Sequence, residues 1–389
     1  MSTTMTFTEP EERTALRKAV FDLGSSFGHD YYLAQARNGG HTDELWDAAG
    51  RLGYLGVAVP EQYGGGGGGI GDLSAVCEEF CAAGTPMLLM VVSPAICATV
   101  LSRFGTEEQR DHWLPGFATG QVRMAFAITE PDAGSNAHNI TTTARRDGDG
   151  WVLNGQKVFI SGVDEADAVL VVGRTTDART GNLKPALYIV PTDSPGLEAK
   201  PIEMDLTSAD KQFSLFFDDV RLPGNALVGS EDAAIAQLFA GLNPERIMGA
   251  SFSLGIARLA LDRATEYAKV RKIWDTPIGA HQGIAHPLAE IKVEIELAKL
   301  MTQKAAALYD SGDDMGAGEA ANMAKYAAAE AAVRAVDQAV QTHGGNGLAS
   351  EYGLGAMIAA ARVGRIAPVS REMVLNFVAQ HSLGLPKSY

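Results

Sequence analysis

"GWVLNGQKVFISG", residues 150–162, runs with a period near two between glycines. That is the pattern of a half-buried strand, whose successive side chains face opposite sides of a sheet. The same pattern returns in "ADAVLVVGRT" (166–175), "ALYIVPTD" (186–193) and "QFSLFFDDVRLP" (212–223), each bounded by Gly, Pro, Asp or Asn. Short strands at this spacing predict a small sheet or barrel between about Met124 and Leu227. Long helices are not interleaved with them, which argues against a parallel Rossmann unit.

On either side of this stretch the period is helical. Upstream, "TDELWDAAGRLGYLG" (42–56) and "GDLSAVCEEFCAAG" (71–84) flank the glycine run 64–69, which is too costly to order as helix and reads as a loop. Downstream of about Asp232, Ile247, Ala250, Leu254, Ala257, Leu261, Ala264 and Ala268 form an alanine-rich seam along one helix. Ile284, Leu288, Ile291, Ile295 and Ala298 mark a second helix, and Tyr326, Ala329, Val333, Val336 and Val340 a third. Polar turns such as "DSGDDMGAG" (310–318) suit antiparallel neighbours. The expected class is α+β: an N-terminal helical domain (1–122), a central small β-barrel or sheet domain (123–232) and a C-terminal four-helix bundle (233–389).

The 389 residues are too many for one core. Thirty-two basic against 47 acidic residues leave a net charge of −15, which repels phosphate backbones and argues against nucleic acid as a partner. Three cysteines (Cys77, Cys81, Cys97) fit neither a disulfide framework nor a zinc site. No stretch approaches the roughly 20 apolar residues of a membrane span. The first residues carry acids rather than an apolar signal, so a cytoplasmic protein without a metal is expected.

"MAFAITEPDAGSNAHNITTTA" (124–144) ends a strand at Thr129, whose hydroxyl and nearby backbone N–H groups face a turn made by Pro131 and Gly134. Such a turn suits an electron-rich ring edge. The stretch resembles the flavin-contacting segment of the acyl-CoA dehydrogenase family. The resemblance extends in the family's order through "LWDAAGRLGYLGVAVPEQYGG" (45–65), "WVLNGQKVFISG", "FFDDVRLP" (216–223), "YAKVRKIWDTPIGAHQ" (267–282), "QTHGGNG" (341–347) and "LGLPKSY" (383–389). It implies FAD, lined by Phe126, Ile128 and Thr129, with Ser135 at the flavin or the acyl-CoA phosphates. Phe159 and Ser161 stand where the family commonly has Trp and Thr. Arg271 matches an arginine that reaches the FAD of a neighbouring subunit, with Gln282, Gln341 and Gly345 as further contacts. Shared cofactor sites imply an oligomer, most often a homotetramer. Read without the resemblance, Arg271 is better taken as a solvated cation that favours the dipole at a helix C-terminus.

Dehydrogenation of a thioester needs a base for the α proton while hydride leaves the β carbon for flavin N5. Most members carry that glutamate in a Tyr-Glu-Gly-Thr block near the C-terminus. Here the matching stretch is "RIAPVSREMVLNFVAQ" (365–380), with Pro368 in its place. Proline also lacks the N–H that would stabilise the carbonyl oxygen, which leaves either the Val369 N–H to substitute for it after a small shift or a slower turnover. Ser370 keeps the hydroxyl of the family's threonine, and Ala359 and Ala360 replace an Arg-Asp pair. Isovaleryl- and long-chain-type members instead carry the base at the position of Glu245, in "LNPERIMGAS" (242–251). Glu245 is therefore the candidate base, Arg246 its neighbour near the active site, and Glu372 the rival acid. Read without the resemblance, Glu245 is an ordinary charge in a first helical turn after proline.

The implied activity is oxidation of an acyl-CoA to the trans-2-enoyl-CoA, with electrons passed to electron-transfer flavoprotein. A flavin monooxygenase of the same fold, or a silent subunit beside an active paralogue, would need no base at Glu245. Leu242, Met248 and Phe252 could line the acyl pocket, but core packing is the better expectation for each.

Overall fold

Strand formation begins where the period changes. The computed structural model describes residues 9–177, 180–230 and 234–387; the expected boundary at 232/233 and the last two residues of "LGLPKSY" lie outside them. The chain opens with α1 (Glu11–Arg37), α2 (Asp43–Arg51) and α3 (Ile70–Ala82). The short α4 (Leu89–Val92) runs through a π-helical turn, Ser93–Cys97, into α5 (Ala98–Phe104), and α6 (Glu107–Thr119) follows. Seven strands come next: β1 (Met124–Ala127), β2 (Thr143–Asp147), β3 (Gly150–Ser161), β4 (Ala168–Thr176), β5 (Leu183–Pro191), β6 (Leu197–Ile202) and β7 (Gln212–Leu222). The helical region contains α7 (Ala234–Val270), a small hairpin of β8 (Lys272–Ile273) and β9 (Thr276–Pro277), then α8 (Gln282–Asp310), α9 (Asp314–His343), α10 (Leu354–Ile366) and α11 (Arg371–Phe377). This is the helix, sheet, helix-bundle order of the sequence, in an α+β chain.

The seven strands make one mixed sheet, ordered β1-β4-β2-β3-β7-β6, with β5 also on β4. β1 and β2 lie parallel to β4 and the other pairs are antiparallel. Alternation gives the sheet two apolar faces. Met124, Phe126, Leu170, Val172, Leu187 and Ile189 share a core with α5 and α6. Their neighbours Ala125, Ala127, Val169, Val171, Tyr188 and Val190 pack on the opposite face around Trp151.

The expected seam of α7 is buried throughout, from Ile247 to Ala268. Small residues permit close helix contact: a Cβ on Gly255 would lie 2.3 Å from Cys81 Cβ and 2.4 Å from the Glu78 carbonyl of α3. Two expectations are corrected. Pro244 is not the first residue of α7 but lies well inside it, because the described helix already includes the ten residues before it, from Ala234. In α9 the deepest face is Ala321, Ala324, Lys325, Ala328, Ala332, Ala335 and Ala339, while Tyr326, Val333 and Val340 are only half-buried. Alanines let the neighbouring helices come close, so the tightest face is the one with the smallest side chains, rather than the most hydrophobic.

Candidate active site

Two of the sequence-predicted groups gather where the sheet meets the bundle. On the sheet side, β3 carries an irregularity between Lys157 and Ile160. It sets Phe159 at φ +57°, in the left-handed region, with 56% of the residue exposed. An exposed aromatic held at positive φ costs energy and marks a surface built for contact. Beside it, Val158 N–H donates to the Thr129 carbonyl (2.9 Å), which places the half-buried Ile128 and Thr129 next to this bulge.

A buried ion pair fixes that junction. Lys157 Nζ donates to the Ile128 carbonyl and to Glu130 Oε1, both at 2.9 Å. Glu130 also accepts from Thr141 N (2.6 Å), Thr141 Oγ1 (2.8 Å) and Thr142 N (2.9 Å). Burial pushes its carboxyl up, but the bonds from Thr142, Thr141 and Lys157 prevail and hold it at about 2. Ser161 Oγ and the Gln212 amide are bonded at 2.9 Å, and Phe126 is buried in β1. Ser135 stands exposed on the turn after Glu130.

On the bundle side, Glu245 is half-buried on α7. Burial raises its carboxyl to about 7, against the pull of Arg246 and Lys325. Arg246 donates to Asn243 Oδ1 (3.2 Å), and its buried Nε has no hydrogen-bond partner among the described residues. The π-turn joins the two sides. Cys97 Sγ sits 3.6 Å from the Ala125 carbonyl of β1, and its thiol is driven far up by burial and then by the Glu245 charge. Ser93 Oγ accepts from Met124 N at 3.0 Å.

The segment that lost the usual glutamate meets the same place. A Cβ on Gly249, one turn beyond Glu245, would touch Pro368 Cδ at 3.3 Å. The linker carrying Pro368 is pinned by α9: Lys325 Nζ donates to the Val369 carbonyl, while Arg365 and Arg371 bind Glu330 at 2.5 and 2.9 Å. Burial, then Arg246, lower the Lys325 ammonium to about 8. Ser370 caps α11, accepting from Met373 N at 3.3 Å, and its hydroxyl hydrogen remains for another acceptor. Glu372 points outward with a side chain 73% exposed, 3.6 Å from Arg371 Nη1. Ala359 and Ala360 are half-buried in α10. Met248 is fully buried in the core and Phe252 packs against it, as expected, while Leu242 is half-buried.

Arg271, Gln282, Gln341 and Gly345 do not join this site. They are exposed at the far end of the bundle, where Tyr267 of α7 stacks on His343 of α9 at 4.1 Å. Helical rise separates Arg271 from Glu245 by roughly 39 Å. Nearby, Trp274 and Asp275 form the β8–β9 turn, both at positive φ, with Trp274 83% exposed.

Sequence reasoning missed Lys157, Glu130, Lys325 and Glu330. Lys325 carried a signal, since a lysine four residues after Ala321 and three before Ala328 lies on a seam otherwise made of small residues.

Residues 10–121, 125–220 and 235–383 match, in turn, the N-terminal, middle and C-terminal domains described for acyl-CoA dehydrogenases. The chain is 67% identical over 387 residues to the acyl-CoA dehydrogenase FadE12 of Mycobacterium tuberculosis, with 100% of both chains covered. Among solved structures, it is similar to a glutaryl-coenzyme A dehydrogenase in complex with glutaryl-CoA (TM-score 0.93, 28% identity, 99% of this chain and 98% of that one). It is also similar to PigA in complex with FAD (TM-score 0.90, 26% identity, 98% of this chain and 100% of that one).

Proposed function

This chain belongs to the acyl-CoA dehydrogenase family of FAD-dependent oxidoreductases, and from that premise we propose that it oxidises an acyl-CoA to the trans-2-enoyl-CoA with Glu245 as the base. The observation that carries the assignment is the half-buried carboxyl of Glu245, raised by desolvation to about 7 one turn before Gly249, where Pro368 approaches α7. A carboxylate with that basicity is half-ionised near neutrality and can take an α proton. Bound FAD supplies the acceptor for the hydride leaving the β carbon.

The chain's own residues fit that cofactor. In this proposal Phe126, Ile128, Thr129 and the exposed Phe159 line the flavin, and Ser135, Ser161 and Ser370 supply hydroxyls to it. Lys157 holds Ile128 in position through its carbonyl. Arg246 carries a buried unpartnered Nε beside the base and so can receive a polar atom of the substrate. Arg271, Gln282, Gln341 and Gly345 lie too far from their own Glu245 to serve the same flavin, and their exposure suits the cofactor of a second subunit. The assembly proposed is a homotetramer, supported by the exposed Trp274 and by the apolar stripe Val293, Leu297 and Leu300 on α8. Electron-transfer flavoprotein is the proposed electron acceptor. The proposed units are 1–122, 123–232 and 233–389. No described helix is long and apolar enough to cross a membrane, and a cytoplasmic location remains part of the proposal.

A base-free oxygenase or a silent subunit gives no reason to raise a carboxyl to about 7 here. The test is the pH dependence of flavin bleaching, in anaerobic mixing with butyryl-, isovaleryl-, octanoyl-, palmitoyl- and steroid side-chain-CoA. The base works ionised, so the rate should rise about tenfold per pH unit up to about 7 and then level. A rate flat from pH 5.5 to 9 would exclude a base with that carboxyl.

A further inference from the structure

Proline at position 244 leaves a gap in α7. It has no N–H, so the carbonyl four residues earlier, at Ala240, loses its helical donor. Ala240 is buried, and an unmatched carbonyl there would be costly. The Tyr309 hydroxyl fills the gap, donating to Ala240 O at 3.0 Å from the last turn of α8. We propose that Tyr309 is the positioning residue for Glu245, because its hydroxyl replaces the backbone donor that Pro244 removes just before the base.

The direction of this bond is set by its neighbours. Arg103 Nη1 donates to the Tyr309 oxygen at 2.9 Å, and an arginine can only donate. The hydroxyl hydrogen is therefore free to point at Ala240. Asp314 holds Arg103 with two contacts of 3.3 Å, and the guanidinium lies 5.2 Å from the centre of the tyrosine ring. The α8–α9 turn grips the helix on the other side of the gap as well. Asn243 Nδ2 donates to the Asp314 carbonyl at 3.0 Å, and Asn243 Oδ1 accepts from Arg246 at 3.2 Å. The break in α7 is thus held from Ala240 to Arg246, and Glu245 projects from within it. Tyr309 acts through the Ala240 carbonyl, so its effect depends on Pro244 being there.

That dependence supplies the test, which rests on Glu245 being the base. Tyr309→Phe keeps the ring and removes only the donor. Pro244→Ala returns a backbone N–H that can reach Ala240. In FAD-loaded protein mixed anaerobically with the same acyl-CoA panel, Tyr309→Phe should slow bleaching about tenfold in the native background, but less than about twofold in the Pro244→Ala background. An equal slowing in both backgrounds overturns the proposal, since a tyrosine that merely packs would not sense residue 244. Amide hydrogen exchange gives a readout without turnover and without the proline variant. Tyr309→Phe should speed exchange across 241–249 and leave 317–340 unchanged, and unaltered exchange at 241–249 also overturns it. Glu245→Gln run alongside separates the two ideas. If that variant bleaches like the native protein, the base assignment falls and this inference with it. If it does not bleach while the Tyr309 and Pro244 effects are additive, only the inference falls.

Discussion

Replacing Lys157 with methionine keeps the length of the side chain and removes its charge. In the native protein Lys157 Nζ lies 2.9 Å from Glu130 Oε1, and both side chains are almost completely buried. The Glu130 carboxyl is held at about 2 against an ordinary 4.5 by the Thr142 and Thr141 bonds and then by Lys157, while burial lowers the Lys157 ammonium to about 8, so only part of that stabilisation belongs to the pair. Breaking a buried pair costs about 3–5 kcal/mol because the surviving charge is left uncompensated. Glu130 would keep three donors from Thr141 and Thr142, so the lower end, about 3 kcal/mol, is expected. Urea unfolding at pH 7, followed by tryptophan fluorescence, measures the loss. Glu130→Gln combined with Lys157→Met removes both charges and should recover most of it. The pH sign is fixed as well. A depressed carboxyl contributes stability above its ordinary 4.5 and loses it as pH falls toward 2, so the gap between native and variant should close in acid. The variant should also hold FAD more weakly, because the Ile128 carbonyl loses its donor beside Phe159. A loss under about 1 kcal/mol, or a double variant no more stable than the single one, would refute the reasoning.

Gly255→Ala should destabilise by about 3 kcal/mol in the same unfolding assay, since a Cβ there meets backbone and Cys81 Cβ of α3 at 2.3–2.4 Å with little room to yield. Arg271→Gln should leave the fold intact while weakening FAD binding about 10- to 100-fold, read by titrating FAD into the stripped protein, because one charge-assisted contact is lost. Light scattering on the native protein should give four times the 41.0 kDa chain mass, and substituting Leu297 by lysine on the α8 stripe should shift it toward smaller species.

The architecture was legible because the period changes twice, near Met124 and near Asp232, and because the α7 seam places a small or branched apolar residue at nearly every turn. The register of α9 was not, since alanine carries too little hydrophobic weight to outvote Tyr326, Val333 and Val340 until the neighbouring helices are in place. Pro244 misled for a local reason. A proline before an acid has the look of a helix start, yet the helix continues through it, with the Tyr309 hydroxyl bonded to the Ala240 carbonyl that Pro244 leaves without a donor. The candidate site was legible as residue types on two separate elements. Its supports were not, because Lys157, Lys325 and Tyr309 act through carbonyls brought near by tertiary packing. The positive φ of Phe159 likewise belongs to the bulge against β7, which no local pattern announces.

Glu245→Gln removes the proposed acceptor of the α proton while keeping the size of the side chain. The variant, loaded with FAD, is mixed without oxygen with whichever thioester bleaches the native protein fastest. Bound FAD should be retained, the acyl-CoA should still bind, and bleaching should slow by at least about a thousandfold, as expected when a general base is lost. Bleaching within about tenfold of the native rate would contradict Glu245 as the base and move the search for it to another element of the fold.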